Sequence, residues 1–174
     1  EKKLAWYSFP WKFTLALSGI QSRDIAGRDL SGGKLDAFAQ RMFGAWYAGI
    51  SLAIAGTNFM ENKSETDGKI YTVEVGEFFV GAFGGYQWNF ASRFAWINEF
   101  GLGLGSASVI QKMEQQTIQE TQHRFTWLRV RTGLEWMAFK HVSFGAHLGS
   151  FIQMDRSNTL LMFGVGGLYA TYFF

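Results

Sequence analysis

The stretch Phe125-Thr126-Trp127-Leu128-Arg129-Val130-Arg131-Thr132-Gly133-Leu134-Glu135-Trp136-Met137 has a period of two. Its odd and even positions make two different surfaces. Leu128, Val130, Thr132, Leu134 and Trp136 form one, and Trp127, Arg129, Arg131, Gly133 and Glu135 form the other. Successive side chains of a strand point to opposite faces, whereas a helix would scatter these three charges around its circumference. The stretch is a strand with one greasy face and one charged face.

The same period recurs in both directions. Trp11, Phe13, Leu15 and Leu17 alternate with Lys12, Thr14, Ala16 and Ser18. Trp46, Ala48, Ile50, Leu52 and Ile54 alternate with Tyr47, Gly49, Ser51, Ala53 and Ala55. Val142, Phe144, Ala146, Leu148 and Ile152 alternate with Ser143, Gly145, His147, Gly149 and Gln153. Between Phe94 and Leu104 the greasy set includes Phe94, Trp96, Phe100, Leu102 and Leu104, opposite Glu99, Gly101 and Gly103, with Asn98 out of place on the greasy side. Strands are expected at roughly 9–20, 30–40, 43–56, 70–87, 93–109, 124–138, 142–154 and 159–174. The second alternates poorly and contains Gly32-Gly33. In the fourth, Glu74 and Glu77 have opposite parity, and a bulge at Gly76 would turn both to one face.

Composition says which way the greasy faces point. Of the 174 residues, 18% are aromatic and only 17% charged, yet mean hydropathy is −0.01. A soluble domain this aromatic would need an unusually large core, whereas a membrane barrel turns its apolar side chains outward. The uncharged run Met42 to Met60 is long enough for a membrane helix. Its glycines and its period of two favour a strand instead. Zero Cys excludes a disulfide framework and any Cys-based metal or redox site. A net charge of +2 without a basic cluster gives no support to nucleic-acid binding. Glu1-Lys2-Lys3 leads directly into an aromatic segment, so the sequence reads as a mature chain already freed of any targeting segment.

The connections alternate in length. Polar ones are expected at Gln21–Asp29, Thr57–Lys69 and Gln111–His123, with tight ones near Gln40–Arg41, Asn89–Ser92 and Phe139–His141 and a short one at Asp155–Asn158. Long loops at one end and short turns at the other suit an all-β, transmembrane, antiparallel up-and-down barrel of eight strands, occupying 1–174 as a single domain. Aromatics cluster at the short-turn end: Trp6, Tyr7, Phe9, Trp11, Trp88, Phe90, Phe94, Trp96, Trp136, Phe139, Tyr172, Phe173 and Phe174. They make the girdle expected at a membrane interface. Phe59, Tyr71, Phe125 and Trp127 would mark the other end more thinly.

Counting back in twos from Phe174 gives Tyr172, Ala170, Leu168 and Gly166, in a final strand without charge. This resembles the terminal-strand signal of Gram-negative outer-membrane proteins. The whole chain is similar in architecture to small barrels such as the OmpA membrane domain, OmpX and OmpW. The resemblance implies an outer-membrane location with periplasmic termini and contact with outer-membrane lipid and lipopolysaccharide. It also implies reading of Gly166, Leu168, Ala170, Tyr172 and Phe174 by the barrel-assembly machinery during biogenesis.

An eight-stranded barrel has an interior just wide enough for its own side chains, which excludes a general porin. The expected lumen set is Lys12, Glu74, Glu77, Glu99, Arg129, Arg131, Glu135 and His147. Both signs are present, so Arg129, Arg131 and Glu135 are expected to face inward and find partners at Glu74, Glu77 or Glu99. Gly101, Gly103, Gly105, Gly145 and Gly149 would make room for Phe79, Phe83 or Trp127. A non-enzymatic structural or surface-interaction role follows, through 57–69 and 111–123, where strands can run past the bilayer and offer an edge. Two alternatives stand beside it. One is a narrow gated pore, or a channel for small hydrophobic solutes as the OmpW resemblance implies. The other is a lipid-modifying enzyme resembling PagL or PagP, for which His141 with Ser143, or His147 with Ser150, would be candidates. No cofactor is indicated, and His123 and His147 lack the carboxylate spacing of a metal site.

Overall fold

A computed structural model describes residues 9–23, 29–63, 70–113, 116–155 and 160–174. Eight strands follow one another: β1 Trp11–Arg23, β2 Asp29–Phe43, β3 Trp46–Lys63, β4 Ile70–Ala91, β5 Phe94–Met113, β6 Gln116–Phe139, β7 Val142–Asp155 and β8 Leu160–Phe173. Each pairs antiparallel with the next, and β1 pairs with β8 to close the barrel. Closure removes the edges an open sheet would leave, and every wall residue then faces either lumen or surroundings.

The greasy faces are outside. Leu17, Trp46, Ile50, Ile54, Leu104, Val130, Leu148 and Leu168 are among the exposed apolar residues. On β5 the outward run from Phe94 to Leu104 rises about 34 Å along the strand, which at the usual tilt is roughly 25 Å along the barrel axis, the height of an apolar membrane band. Trp11, Trp46, Trp88, Phe90, Trp136, Phe139, Tyr172 and Phe174 point outward near the short turns. Phe90 stacks on Phe94 at 6.2 Å, and the Arg41 guanidinium lies 5.7 Å from the Trp11 ring and 5.5 Å from Phe43. Four aromatics leave the girdles expected for them, Phe9 among them. Phe173 points inward and packs with Ala95, Met137 and Phe9. Phe125 and Trp127 are buried inside because they share parity with Arg129. Trp6 and Tyr7 lie outside the described residues.

Asn98 has a simple explanation. It sits opposite Thr132 on the outer face, and the Thr132 hydroxyl donates to its side-chain oxygen at 2.9 Å. A paired amide costs far less in an apolar setting than a lone one.

The structure corrects several boundaries. β2 continues past Gln40, which is buried and donates to the Thr14 hydroxyl at 2.9 Å; the turn is Gly44-Ala45, where Gly44 adopts φ +69°. A left-handed residue of this kind favours glycine. The other tight turns are Ser92-Arg93 and Lys140-His141. Much of the two expected polar loops is strand: β3 runs on to Lys63, and β5 and β6 remain paired up to Met113↔Gln116. The rest of Gln21–Asp29, Thr57–Lys69 and Asp155–Asn158, beyond the strand ends, falls outside the described residues.

No bulge occurs at Gly76. The ladders run without interruption through Gly56↔Gly76 and Gly76↔Ser108. Glu74 therefore stays on the outer face and Glu77 on the inner one. Glu74 sits beyond the apolar band, two residues past Gly76, where Lys112 pairs with it at 2.7 Å. Gly76 itself belongs to an outward row aligned across five strands: Gly166, Gly19, Gly33, Gly56 and Gly76. This bare row separates Leu17, Leu35, Ile54 and Phe78 from the polar residues above. Because both partners of the Glu74–Lys112 pair are partly exposed, Glu74→Gln is expected to change stability by less than about 1 kcal/mol in a urea titration.

Candidate functional site in the lumen

The lumen is filled in layers. Toward the long-loop end, Phe79 meets Phe125, Trp127 and Phe151 edge-on, with ring centroids at 5.4, 6.4 and 5.7 Å. Inward glycines make this possible. A Cβ on Gly103 would come within 2.6 Å of the Gly81 Cα and 2.7 Å of the Trp127 ring, and one on Gly101 within 3.2 Å of Phe83 Cβ. Tyr169 lies against Gly145 in the same way, and Phe125 against Gly105. Trp127 Nε1 donates to the Leu104 carbonyl at 3.1 Å, so the indole enters without an orphaned N–H.

Below the aromatics an unbroken chain of ion pairs crosses the barrel. Lys34 Nζ donates to Asp36 Oδ1 at 2.6 Å, and the same oxygen accepts from Arg129 Nη1 at 3.3 Å. Arg129 Nη2 donates to Glu99 Oε1 at 2.8 Å, and Arg131 Nη2 to Glu99 Oε2 at 2.7 Å. Strand register explains the junction: Glu99 is the direct partner of Arg131, while Arg129 stands opposite Gly101, two residues along, with a diagonal reach to the same carboxylate. Phe38 lies under both guanidinium groups, 4.8 Å from Arg129 and 4.5 Å from Arg131. Such stacking partly replaces the water lost on burial.

The remaining lumen residues find neutral partners. Lys12 donates to Gln87 at 3.2 Å and sits 4.2 Å from the Tyr47 ring. Glu135 accepts a short hydrogen bond from Ser143. Glu77 accepts from Gln153 at 2.8 Å. His147 Nε2 lies 3.1 Å from Ser18 Oγ. Of the three carboxylates expected to receive the arginines, only Glu99 does so; Glu77 is engaged by Gln153 and Glu74 is outside. Glu135 faces inward but makes no ion pair with an arginine among the described residues. On β8, Leu168, Ala170 and Tyr172 point outward with Gly166 on the same face, and Phe174 just after the strand is exposed as well.

Sequence reading missed Lys34 and Asp36, two of the five links in the chain. The signal was there: they are two apart, so they share a face of β2. It also missed Ser18. Neither expected Ser–His combination forms. His141 Nδ1 lies 2.9 Å from the Phe173 carbonyl in its turn, Ser143 is bound to Glu135, and Ser150 has the opposite parity to His147. The pair that does form, Ser18–His147, is enclosed in the packed interior, and His147 Nδ1 meets no carboxylate. Among the described residues no group of His and carboxylates is placed to hold a metal ion.

Greasy outside, solid and charge-paired inside, and closed on itself, the molecule belongs to the class of small β-barrels that cross a membrane with their strands. Solved structures refine that class. The fold is similar to Neisserial surface protein A (TM-score 0.65, 13% identity, 95% of this chain and 97% of that one). It is also similar to Ail, the attachment invasion locus protein of Yersinia pestis (TM-score 0.56, 14% identity, 94% and 97%). A major outer membrane protein from Thermus thermophilus aligns with TM-score 0.53 at 11% identity over 94% and 99%. The chain thus has the fold of the small eight-stranded outer-membrane barrels. No protein-family model matches it, and no curated protein matches it in sequence.

Proposed function

We propose that the protein is a non-enzymatic integral barrel of a Gram-negative outer membrane, with periplasmic termini and a surface-interaction role carried at its long-loop end. The observation that carries this reading is the contrast between its two parts. The lumen is packed and crossed by ion pairs, whereas β3 to β6 run on as paired strands beyond the apolar band. Among the described residues, β7 pairs with β6 only from Phe125 onward. Among the described residues, Gln116 to Arg124 therefore pair with β5 alone, and their other edge meets no described strand. That edge contains neither Lys nor Pro, and its guards are limited to Glu120, Arg124 and a bulge at Ile118. An extended segment of a partner protein could add to it as a further strand.

Both similar proteins with the higher scores are surface or attachment proteins by name, and one structure of Ail holds the heparin analogue sucrose octasulfate. These likenesses support a surface role here without naming the partner. Outer-membrane lipid and lipopolysaccharide would surround the apolar band. The outward set Gly166, Leu168, Ala170, Tyr172 and Phe174 would serve the barrel-assembly machinery, and residues 1–174 would act as one barrel domain.

The test removes residues 109–121 and closes the hairpin with a short turn. Heat-dependent gel migration should show a folded barrel, while proteins that co-purify in mild detergent should be lost. Unchanged co-purification would overturn the role assigned to the edge. In planar bilayers the intact protein should give no steady conductance in the nanosiemens range. Such a conductance would instead establish the pore alternative.

A further inference from the structure

A groove runs along the outer face of β2, and a cation stands at its foot. Ala39 and Ala37 form the floor. Phe13 and Leu15 on β1 stand directly beside them on one side, and Ile50 and Leu52 on β3 on the other. All four walls are exposed apolar side chains, so the floor lies a side chain's depth below them. Leu35 closes the upper end, about 13 Å along the strand from Ala39. Bare positions recur on β4 at Ala82 and Gly84, but Tyr86 and Trp88 rather than a cation stand below those.

Arg41 is the cation. It shares the outer face of β2, opposite Trp11 on β1 and Ala48 on β3, at the level of the short-turn girdle. Its guanidinium lies against the Trp11 and Phe43 rings, at 5.7 and 5.5 Å. Among the described residues it makes no ion pair and no hydrogen bond, so its donors are available to a ligand. No Asp or Glu occurs in 41–46, 89–94 or 138–142, the three turn regions at this end, which instead carry Arg93 and Lys140. This end of the barrel therefore complements a negative charge. A guanidinium can grip two oxygens of one phosphate at once, and stacking on rings fixes its plane.

We propose that this face binds one phospholipid of the periplasmic leaflet, its phosphodiester on Arg41 and one acyl chain in the groove over Ala39 and Ala37. The order of parts along β2 matches that of the lipid, with charge at the girdle and the apolar groove leading toward the membrane centre. The lipid is then a fixed neighbour of β1 to β3 rather than part of the exchanging annulus. The leaflet rests on the reading above that the short turns are periplasmic. The site itself does not.

Native mass spectrometry of the folded protein in detergent, titrated with dioleoylphosphatidylglycerol, reads the site directly. One lipid should bind ahead of the rest, and dioleoylglycerol, with the same chains and no phosphate, should not compete for it. Arg41→Gln should weaken that first binding on the order of tenfold, the worth of one charge-assisted contact. Ala39→Phe, which fills the groove and leaves Arg41 in place, should weaken it as well. Arg93→Gln removes a cation of the same end and should change nothing. All three positions face outward or lie in a turn, and heat-dependent gel migration shows that each variant is folded. Equal binding by Arg41→Gln would overturn the proposal, and so would an equal loss in Arg93→Gln, which would mean general attraction to a basic rim. Topology is read separately, by placing the chain's only cysteine at Ser92. Labelling by an impermeant thiol reagent only after the outer membrane is opened supports the periplasmic leaflet. Labelling in intact cells would overturn that leaflet and the orientation, while the titration still decides the site.

Discussion

Replacing Glu99 by Gln should destabilise the folded barrel by about 3–5 kcal/mol, the cost of breaking a buried ion pair from one side. Glu99 is the joint of the lumen. Its side chain has no solvent exposure, one oxygen receives Arg129 and the other Arg131. Tyr47 adds a third donor at 3.4 Å. The glutamine keeps the shape but leaves two guanidinium groups without their shared charge. Urea titration of refolding into lipid vesicles measures the effect, with an unchanged slope indicating that the folded state keeps its compactness. The double variant Glu99→Gln, Arg131→Met should recover part of the loss, because one of the stranded charges is gone. A loss below about 1 kcal/mol would mean that these groups behave as a solvated surface pair, and that water reaches the lumen freely.

The second large effect is expected at Trp127. Trp127→Ala should cost about 3–5 kcal/mol, the range for emptying a large aromatic site in a core. The indole occupies the space cleared by Gly81 and Gly103, packs near Phe79, and donates to the Leu104 carbonyl. Because the wall around it is a closed ladder of backbone, the site cannot collapse well, and the higher end of the range is expected. Enlarging the opposite partner tests the same packing from outside. A side chain at Gly103 would strike both the Gly81 Cα and the Trp127 ring. Gly103→Val should therefore fail to refold, or refold with a loss of comparable size. Tolerance of Gly103→Val without loss would show that the interior is looser than its geometry indicates.

How far the lumen was legible depends on how sharply each strand separates its two faces. β6 places three charges among its inward residues and five apolar or methyl-bearing residues outward, so both faces are plain from one stretch. β2 does not separate them: Ala37 and Ala39 face outward where larger apolar residues would be informative, and Lys34 and Asp36 face inward. Its pattern is weak in sequence although its pairing is continuous from Asp29 to Phe43. That weakness hid two links of the ion-pair chain. The error at Glu74 has a different origin. Parity alone says that an outward carboxylate would lie in lipid, and a bulge at Gly76 removes the conflict. Height removes it without a bulge, since β4 runs on past the apolar band before it reaches Glu74.

The strand period, the outward direction of the apolar faces, and the presence of both charge signs in an interior too narrow for a general pore are thus legible in the residues alone. These are local consequences of a two-residue repeat meeting an apolar solvent, and each can be read within one strand. Which charges meet, and where the membrane band ends, depend on the closed barrel. Glu99 reaches both arginines because the β5–β6 register sets it beside them, and Asp36 reaches Arg129 across the lumen from a strand 93 residues away in sequence. Ser18 meets His147 for the same reason, across the closed ring. Register and closure are properties of all eight strands together, and no single strand carries them.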